Sequence, residues 1–440
     1  MKCELFKTQE HRCLNEEQRD CLSKLDLKYP NNADNTDNYK KNKKVKKDKE
    51  AKYLGLSLSG QVGYFIGAKW LKENEIALIV DPKVKDLDYL KMFMECFNNP
   101  VTSKDILDIY GIDFTKPEIP IPSNSFELTP LIIIHFLYLV KKIVKKGLKC
   151  DYIWVENNLN SKIKGKILIN QTIKQNVIKS RPDRTYCKYQ EYSQNCLENK
   201  LIKKTLNFVF TYLKTHYRNN KELLNLFYYN YTAFSNISDN VDVNKIKSIR
   251  TNILFKEYNE TLKIAKIILR RFAFSIKNTE KKEEKYPPFY IDMTLLFERY
   301  VYSKLFKVCR NNIKFQVHGE YGSVDFLNVD DKTIIDTKYK TYYNENFTGQ
   351  KQWKRDKIAK DIRQLSGYSR DREILKKMNI DITNADFCLD CVIIYPNKKA
   401  ETEIAKYEHL KQKNNKIQQF NKFFKYGIRL PEKQRNADKV

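Results

Sequence analysis

Alternating apolar and polar positions predict a β-rich segment after residue 53. The alternation covers YLGLSLSGQVGYFIGAKWL (53–71) and EIALIVDP (75–82), with glycines where turns or bulges are expected. From about residue 87 to about 275, apolar residues recur at helical spacing instead, so helices are expected to dominate there. The clearest predicted helices cover 88–97, 130–146, 196–217 and the stretch around 244–275.

The longest apolar run, LIIIHFLYLV (131–140), predicts a buried helix. It falls well short of the ~18 to 20 residues that a membrane span needs, so no membrane partner is expected. Thr129 is the expected N-cap, Pro130 suits the first turn and Gly147 is the expected stop. His135 is expected to be a core residue rather than a metal ligand.

The C-terminal part has a different order of elements. After a charged run predicted to be a linker, KNTEKKEEKYPP (277–288), we expect a helix, three strands, a helix and a strand, at 292–309, 313–321, 323–329, 332–340, around 354–378 and 388–396. The predicted fold class is therefore α+β with several domains. The predicted segments are a polar, basic and mobile 1–52, a β-rich 53–122, a mainly helical 123–285, and an α/β domain with a mixed central sheet, 286–440.

The chain carries a large positive charge. Its 440 residues include 82 Lys and Arg against 54 Asp and Glu, a net charge of +28. The length exceeds one compact core, and 41% hydrophobic residues exclude a disordered chain. The excess charge predicts a polyanionic partner, with DNA as the first candidate. The alternative is a compositional bias in which many lysines only solvate the surface.

The ten cysteines are scattered, and the first twenty residues contain no apolar signal segment, which together predict reduced thiols in the cytoplasm. Cys388 and Cys391 form a lone CxxC in a predicted buried strand, where alternation sends them to opposite faces. Four N-terminal residues are spaced unlike the usual zinc sites, and whether they bind a metal stays open: Cys3, His11, Cys13 and Cys21.

Several motifs are missing from the sequence. It contains no G-x-x-x-x-G-K-[ST], no G-x-S-x-G and no H-E-x-x-H. This excludes nucleotide hydrolysis by P-loop chemistry, so no nucleotide is expected to bind this chain. Any chemistry is expected to rest on carboxylates and lysine.

The stretch IIDTKYK (334–340) supplies that combination. Asp336 and Lys338 are two apart on a predicted strand, so their side chains leave the same face about 6.6 Å apart. Asp325, on the preceding strand, is expected to lie beside them. Carboxylates, together with the backbone carbonyl of Thr337, suit Mg²⁺, with Mn²⁺ as a substitute. The expected reaction is phosphodiester hydrolysis, in which Lys338 positions the attacking water or helps to deprotonate it.

Flanking helices supply further candidates. Glu298 on the preceding helix adds a carboxylate, and Gln364 on the following helix is expected to orient the site. Asp361 lies one turn before Gln364 and is expected to hydrogen-bond it. An Asp-x-Lys pair is also typical of a solvated strand face or a cross-strand ion pair, and that alternative stays open.

The region from about 290 to 396 resembles the PD-(D/E)xK nuclease superfamily. The wider chain is similar to the McrC family, the nuclease subunits of McrBC-type and LlaJI-like restriction systems. The stretches that carry the resemblance are ALIVDPKV (77–84), KGKILINQTIKQN (164–176), CKYQEYSQNCLENKLIKKTL (187–206), LLFERYV (295–301), VDFL (324–327), IIDTKYK (334–340), DIRQLSGY (361–368) and VIIYP (392–396).

The resemblance implies roles for five residues. Asp325, Asp336 and Lys338 occupy the catalytic positions of the superfamily, Glu298 matches its acidic helix position, and Gln364 matches its helical glutamine. The metal would then be held by Asp325, Asp336, Glu298 and the Thr337 carbonyl. One departure is Val324, where the superfamily name has proline.

The resemblance also implies a partner, the AAA+ GTPase McrB, which usually carries target recognition. Residues 53–122 would dock on that motor and stimulate it, and two complexes would converge for a double-strand break. No motif isolates a stimulating residue. The alternatives are a non-catalytic DNA-binding adaptor and a stand-alone repair nuclease; the complete set Asp325, Asp336 and Lys338 disfavours the first, and the long region before residue 286 disfavours the second.

Overall fold

The computed structural model describes residues 4–25, 27, 53–84, 86–99, 108–113, 116–122, 128–218, 220–242, 255–275, 283–320, 322–340, 343, 352–380 and 389–433. The chain forms two compact units. Unit 1 combines residues 1–126 with 283–440, and unit 2 is the intervening 127–282.

The strands are β1 (Glu4–Gln9), β2 (Phe65–Lys72), β3 (Ile76–Asp81), β4 (Tyr110–Ile112), β5 (Ile119–Pro122), β6 (Asp151–Asn160), β7 (Lys166–Ile167), β8 (Arg184–Ser193), β9 (Glu283–Tyr286), β10 (Phe289–Asp292), β11 (Ile313–His318), β12 (Ser323–Asn328), β13 (Thr333–Thr337), β14 (Asp390–Pro396) and β15 (Phe423–Ile428). The α-helices are α1 (Glu16–Ser23), α2 (Tyr89–Asn98), α3 (Leu128–Lys146), α4 (Ile169–Thr172), α5 (Leu197–His216), α6 (Lys221–Ala233), α7 (Lys256–Ser275), α8 (Met293–Cys309), α9 (Gln352–Tyr368) and α10 (Arg372–Lys377).

The first sheet of unit 1 joins the two segments of the chain that form this unit, in the order β1-β3-β2-β10-β4. β10 runs antiparallel to β2, with Tyr290 opposite Gly67. Gly67 has φ +137°, and a Cβ there would overlap the carbonyl oxygen of Phe289, so only glycine allows this approach. The prediction of a mobile segment 1–52 is wrong for residues 4–25, because β1 pairs in parallel with β3 and α1 follows it. The basic tract 31–52 lies outside the described residues.

The second sheet of unit 1 is mixed, in the order β11-β12-β13-β14-β15. β12 runs antiparallel to β11 and β13, whereas β14 runs parallel to β13 and β15. The predicted mixed central sheet is therefore confirmed, although β15 was not predicted. Helix α8 packs on this sheet through Tyr302. The ring centroid of Tyr302 lies 4.8 Å from that of Phe315 in β11.

Two further helices cover this sheet. Ile358, Ile362 and Leu365 of α9 pack with Cys391 and Ile393 of β14. The prediction of a single helix around 354–378 is wrong, because two helices, α9 and α10, cover this range. The Asp371 side chain accepts hydrogen bonds from the N–H groups of Glu373 and Ile374 and so caps the start of α10. Cys391 is buried in its strand, as expected, whereas Cys388 lies outside the described residues.

Unit 2 contains the long helices α3, α5, α6 and α7. Helix α3 begins at Leu128, so Thr129 lies inside it and is not its N-cap. Gly147 (φ +101°) ends α3 by donating its N–H to Ile143. His135 is buried in the core, and burial lowers its pKa to about 3.

The expectation of helices up to residue 275 misses a three-stranded sheet, β6-β8-β7, between α3 and α5. Its side chains are mostly exposed, so the chain shows no strong apolar alternation there. Tyr152, Trp154 and Tyr192 stand exposed on it.

The predicted linker 277–288 is partly wrong, since β9 pairs antiparallel with β5. Among the helices that the structure describes, none combines the length and the apolar character needed to cross a bilayer.

Candidate active site

Asp325 and Asp336 come from adjacent strands. The antiparallel register of β12 and β13 pairs Phe326 with Ile335, and continuing it by one residue brings Asp325 beside Asp336. Asp325 Oδ2 accepts both the backbone N–H and the hydroxyl of Thr337, at 2.7 Å each. The predicted juxtaposition of the two carboxylates is therefore confirmed.

Lys338 lies two residues beyond Asp336, and its Nζ is 2.6 Å from Asp336 Oδ2. Burial lowers the pKa of Lys338, but the charge and hydrogen bond of Asp336 outweigh burial and leave that pKa above its ordinary value. The ammonium therefore stays charged at neutral pH. In this state Lys338 is a positioned cation rather than a free base.

Glu298 reaches the same place from helix α8. The helix starts directly after β10, because Asp292 Oδ1 accepts the N–H groups of Thr294 and Leu295. Glu298 is buried, and its Oε1 accepts a hydrogen bond of 2.9 Å from Gln316 Nε2.

The carboxyl groups raise each other's pKa. Burial first, and then the charge of Asp325, raise the pKa of Asp336 to about 7 and that of Glu298 to about 8. Carboxyl groups that are buried and close together cannot all ionise without a compensating cation.

Gln364 completes the contacts of Lys338. Its Oε1 accepts a hydrogen bond of 3.2 Å from Lys338 Nζ, and its Nε2 donates to Tyr368 Oη at 3.0 Å. The prediction of a hydrogen bond between Asp361 and Gln364 is wrong. The Asp361 carboxylate instead accepts hydrogen bonds from Lys340 Nζ and Tyr343 Oη, two residues that follow β13 in the chain.

These groups border one cavity of about 380 Å³. All five predicted catalytic residues and Thr337 are brought together there. The lining residues are Tyr64, Thr294, Glu298, Ser323, Asp325, Asp336, Thr337, Lys338, Tyr339, Lys340, Gln364 and Tyr368. The structure thus places the predicted residues at one site, while their catalytic role stays a prediction.

The predictions did not include six of the twelve lining residues, nor Gln316, which contacts Glu298. Tyr368 was detectable, because it lies four residues after Gln364 and so on the same helical face. Gln316 lies in β11 with φ +46°, a strained conformation for a residue other than glycine, and its side chain contacts Glu298. Tyr64 comes from the distant N-terminal part, and no local pattern connects it with the site.

The donor set fits a hard divalent cation. Three carboxylates line the cavity and repel each other, and oxygen ligands are those that Mg²⁺ prefers. Among the described residues, no three His, Cys, Asp or Glu side chains already surround a single point. Mg²⁺ does not require such a group, since it is usually held by one or two carboxylates and several waters.

The N-terminal Cys and His residues are not grouped as a metal site in the part of the chain that the structure describes. His11 instead stacks on Tyr64, with ring centroids 4.9 Å apart, and Cys13 is exposed. Cys3 lies outside the described residues.

Comparisons with known proteins place the chain in a family. A family model described as McrBC, McrBC 5-methylcytosine restriction system component, matches residues 80–380, more than half of the chain. The comparison with curated proteins gave no match.

Two solved structures from Thermococcus gammatolerans are similar. One is described as a refined half-complex from a tetradecameric assembly of McrB AAA+ hexamers with bound McrC; it is 14% identical, with 96% of this chain and 94% of that chain covered and a TM-score of 0.35. The other is described as a cryo-EM structure of the McrBC complex. It is 14% identical, with 69% of this chain and 87% of that chain covered and a TM-score of 0.28. By the family match, this chain belongs to the McrBC family of restriction system components.

Proposed function

We propose that this chain is a Mg²⁺-dependent DNA endonuclease, the McrC-like subunit of a McrBC-type restriction system. The observation that supports this most is the convergence of Asp325, Asp336 and Lys338 at one cavity, with Glu298 beside them. Family membership supports the restriction system, and the complete set of site residues disfavours a non-catalytic adaptor.

The reaction is hydrolysis of a DNA phosphodiester. The oxygen of water forms a bond to phosphorus, one bridging P–O bond breaks, and the leaving oxygen takes up a proton while the water loses one. Bound Mg²⁺ supplies charge neutralisation at the phosphate and a lowered pKa of water. Asp325, Asp336 and Glu298 would hold the metal, with the Thr337 carbonyl as a further ligand.

The protein's own groups position the reactants. Lys338, charged and held by Asp336 and Gln364, directs its N–H groups toward a water or a phosphate oxygen in the cavity. Thr337 fixes Asp325 through two hydrogen bonds, and Gln316 fixes Glu298. The +28 charge of the chain supports non-specific binding of the DNA backbone beside this acidic centre.

The proposed partner is a McrB-like AAA+ GTPase that selects the target and that this chain stimulates. Docking of that partner on residues 53–122 stays a prediction. The exposed rings of Tyr152, Trp154 and Tyr192 in unit 2 form a second candidate surface, because adjacent exposed aromatic rings commonly mark interaction sites. The double substitution Tyr152→Ala, Trp154→Ala should then lower the stimulation of GTP hydrolysis when the chain is titrated into the GTPase. Unchanged stimulation would exclude this surface as the docking site.

The nuclease proposal is tested with Asp336→Asn. Plasmid DNA is incubated with the chain, a McrB-like GTPase, GTP and Mg²⁺, and nicked and linear products are quantified. Asp336→Asn should abolish cleavage and leave co-purification with the partner intact. The matched control is Asp390→Asn, since Asp390 also pairs with a lysine (Lys411, 2.8 Å) but at the opposite end of the neighbouring strand. Cleavage by Asp336→Asn at the wild-type rate would rule out this site.

A further inference from the structure

Lys83 connects the N-terminal sheet with the end of the candidate catalytic strand. It follows β3, and its Nζ donates a hydrogen bond of 2.6 Å to the backbone carbonyl of Tyr339. Tyr339 is the residue directly after Lys338. A side chain separated by 256 positions in the sequence therefore contacts the backbone of the site.

The backbone leaves the sheet at this point. The Lys338 N–H still donates to Ile394 in β14, but the Lys340 N–H turns back onto the Lys338 carbonyl at 2.6 Å. Lys83 therefore provides a contact just beyond the last backbone bond to β14. It adds to the ion pair between Lys340 and Asp361 in holding the chain after Lys338.

The surroundings of Lys83 leave its ammonium little freedom. Its Nζ lies 3.5 Å from the ring centroid of Tyr339 and 4.6 Å from that of Tyr64, and the side chain is 16% exposed. Both tyrosines line the cavity. Lys83 thus contacts the cavity wall from behind while remaining outside the cavity itself.

Glu10 holds Lys83 in turn. It directly follows β1, which is parallel to β3, so the two residues lie at the same end of neighbouring strands. Glu10 Oε1 accepts the backbone N–H of Lys83 at 3.3 Å, Oε2 is 3.9 Å from Nζ, and the Glu10 side chain is fully buried. The Tyr339 hydroxyl also reaches Glu10 Oε1, at 3.5 Å.

A buried pair of this kind contributes little to stability. Burial lowers the pKa of Lys83 to about 8 and raises that of Glu10 to about 7, so the protein loses solvation free energy by keeping both charges. Two well-packed apolar residues would often serve stability equally well. The hydrogen bond to the Tyr339 carbonyl is what an apolar pair could not provide.

We propose that Lys83, held by Glu10, is a positioning residue of the nuclease: it fixes the Tyr339 carbonyl and thereby the orientation of Lys338 and of the aromatic cavity wall. The proposal rests on the proposed nuclease function. It makes the N-terminal sheet a part of the active site rather than only a docking module.

The test compares Lys83→Met with wild type in the full chain with its partner, at pH 7, which is below the Lys83 pKa of about 8 and keeps the wild-type ammonium charged. We expect kcat for DNA cleavage to fall about 100-fold, since a small misplacement of a catalytic group has that effect, with KM for DNA changed less than about twofold. The matched control is Lys203→Met, because Lys203 of unit 2 is also buried, has its Nζ 3.6 Å from the ring centroid of Tyr231 and is not a lining residue of the cavity. It should retain wild-type kcat.

A second readout does not depend on cleavage. Hydrogen exchange of the peptide that contains residues 333–340 should accelerate in Lys83→Met and stay unchanged in Lys203→Met. Faster exchange together with a wild type that never cuts DNA would overturn the proposed function but not the contact. Normal kcat and normal exchange in Lys83→Met would overturn the positioning role.

Glu10→Gln decides the question if Lys83→Met fails to fold. Glutamine keeps the volume and the acceptor for the Lys83 N–H but removes the charge beside Nζ. We expect kcat to fall about tenfold with KM unchanged. A folded Glu10→Gln protein with wild-type kcat would overturn the proposal.

Discussion

Thr337 donates two hydrogen bonds to a single oxygen of Asp325, one from its backbone N–H and one from its hydroxyl, each 2.7 Å long. Asp325 is therefore oriented by the strand that carries Asp336. Substitution by valine removes the hydroxyl bond and keeps the backbone bond.

Thr337→Val removes that hydroxyl while keeping the shape of the side chain. We expect the Mg²⁺ concentration required for half-maximal cleavage to rise about 10- to 100-fold, because groups that orient metal ligands typically have effects of this size. Mg²⁺ titrations of the cleavage rate provide the measurement, and Thr337→Ser, which retains the hydroxyl, is the control. If valine and serine variants need the same Mg²⁺ concentration as wild type, the hydroxyl does not orient a metal ligand.

Metal binding should release protons. In the metal-free protein the pKa of Asp336 is raised to about 7 and that of Glu298 to about 8, so both carboxyls are mostly protonated at pH 6. Because a metal binds only the ionised form, Mg²⁺ affinity should fall as pH drops below about 8, with about two protons released at pH 6. Calorimetry in two buffers of different ionisation enthalpy gives the proton count.

The control for that measurement is Asp390→Asn, whose ion pair with Lys411 lies at the other end of the sheet. Its proton count should match wild type, whereas Glu298→Gln should release about one proton fewer. Binding without proton release at pH 6 would show that these two carboxyls are not the ligands.

Glu298 should make the stability of the metal-free protein depend on pH. Its pKa is raised from 4.5 to about 8 by burial and by Asp325, so the folded state keeps a proton that the unfolded state loses above pH 4.5. The stabilisation from that proton is complete below pH 4.5 and is lost as pH rises through about 8. Glu298→Gln should therefore be more stable than wild type at pH 8.5 by a few kcal/mol, and equal to it near pH 4.5.

Urea unfolding in the presence of EDTA measures this difference at the two pH values. Glu373→Gln is a suitable control, because Glu373 lies at the start of α10 in an ion pair whose two side chains are about half exposed. Its difference from wild type should be small at both values. A stability difference for Glu298→Gln that does not grow with pH would contradict the raised pKa.

Gly67 is required by the contact between β2 and β10. Gly67→Ala combines a backbone at φ +137° with a Cβ that overlaps Phe289, so we expect it to lower the free energy of unfolding by more than about 2 kcal/mol. Gly367→Ala is the opposite case, because an added Cβ there meets nothing within 4 Å and the residue lies in α9. It should raise the free energy of unfolding by about 0.5 kcal/mol. Thermal unfolding curves of both variants decide this, and equal effects would contradict the close approach.

Much of the C-terminal fold was predictable, because its information is local. Apolar spacing predicted α8, β11, β12, β13 and β14 close to their observed bounds, and it predicted the helix 196–217, which is observed as Leu197–His216. It failed where the local pattern is weak. Examples are the exposed sheet of β6, β7 and β8, and the strands β9 and β15, whose pairing partners lie elsewhere in the chain.

The centre of the site follows from short-range spacing along the chain. Asp336 and Lys338 share a strand face because side chains alternate with period two, and the hairpin from β12 to β13 brings Asp325 beside them within a dozen residues. These are short-range relations that spacing expresses directly.

Long-range packing, by contrast, holds that centre in place. Tyr339 and Glu10 are 329 positions apart, and they meet because β1 and β3 join the same sheet as β10, directly before α8. Tyr64 and Lys83 reach the site through the same long-range packing. Such contacts depend on which strands pair across the whole chain, and no local pattern of residues contains that information.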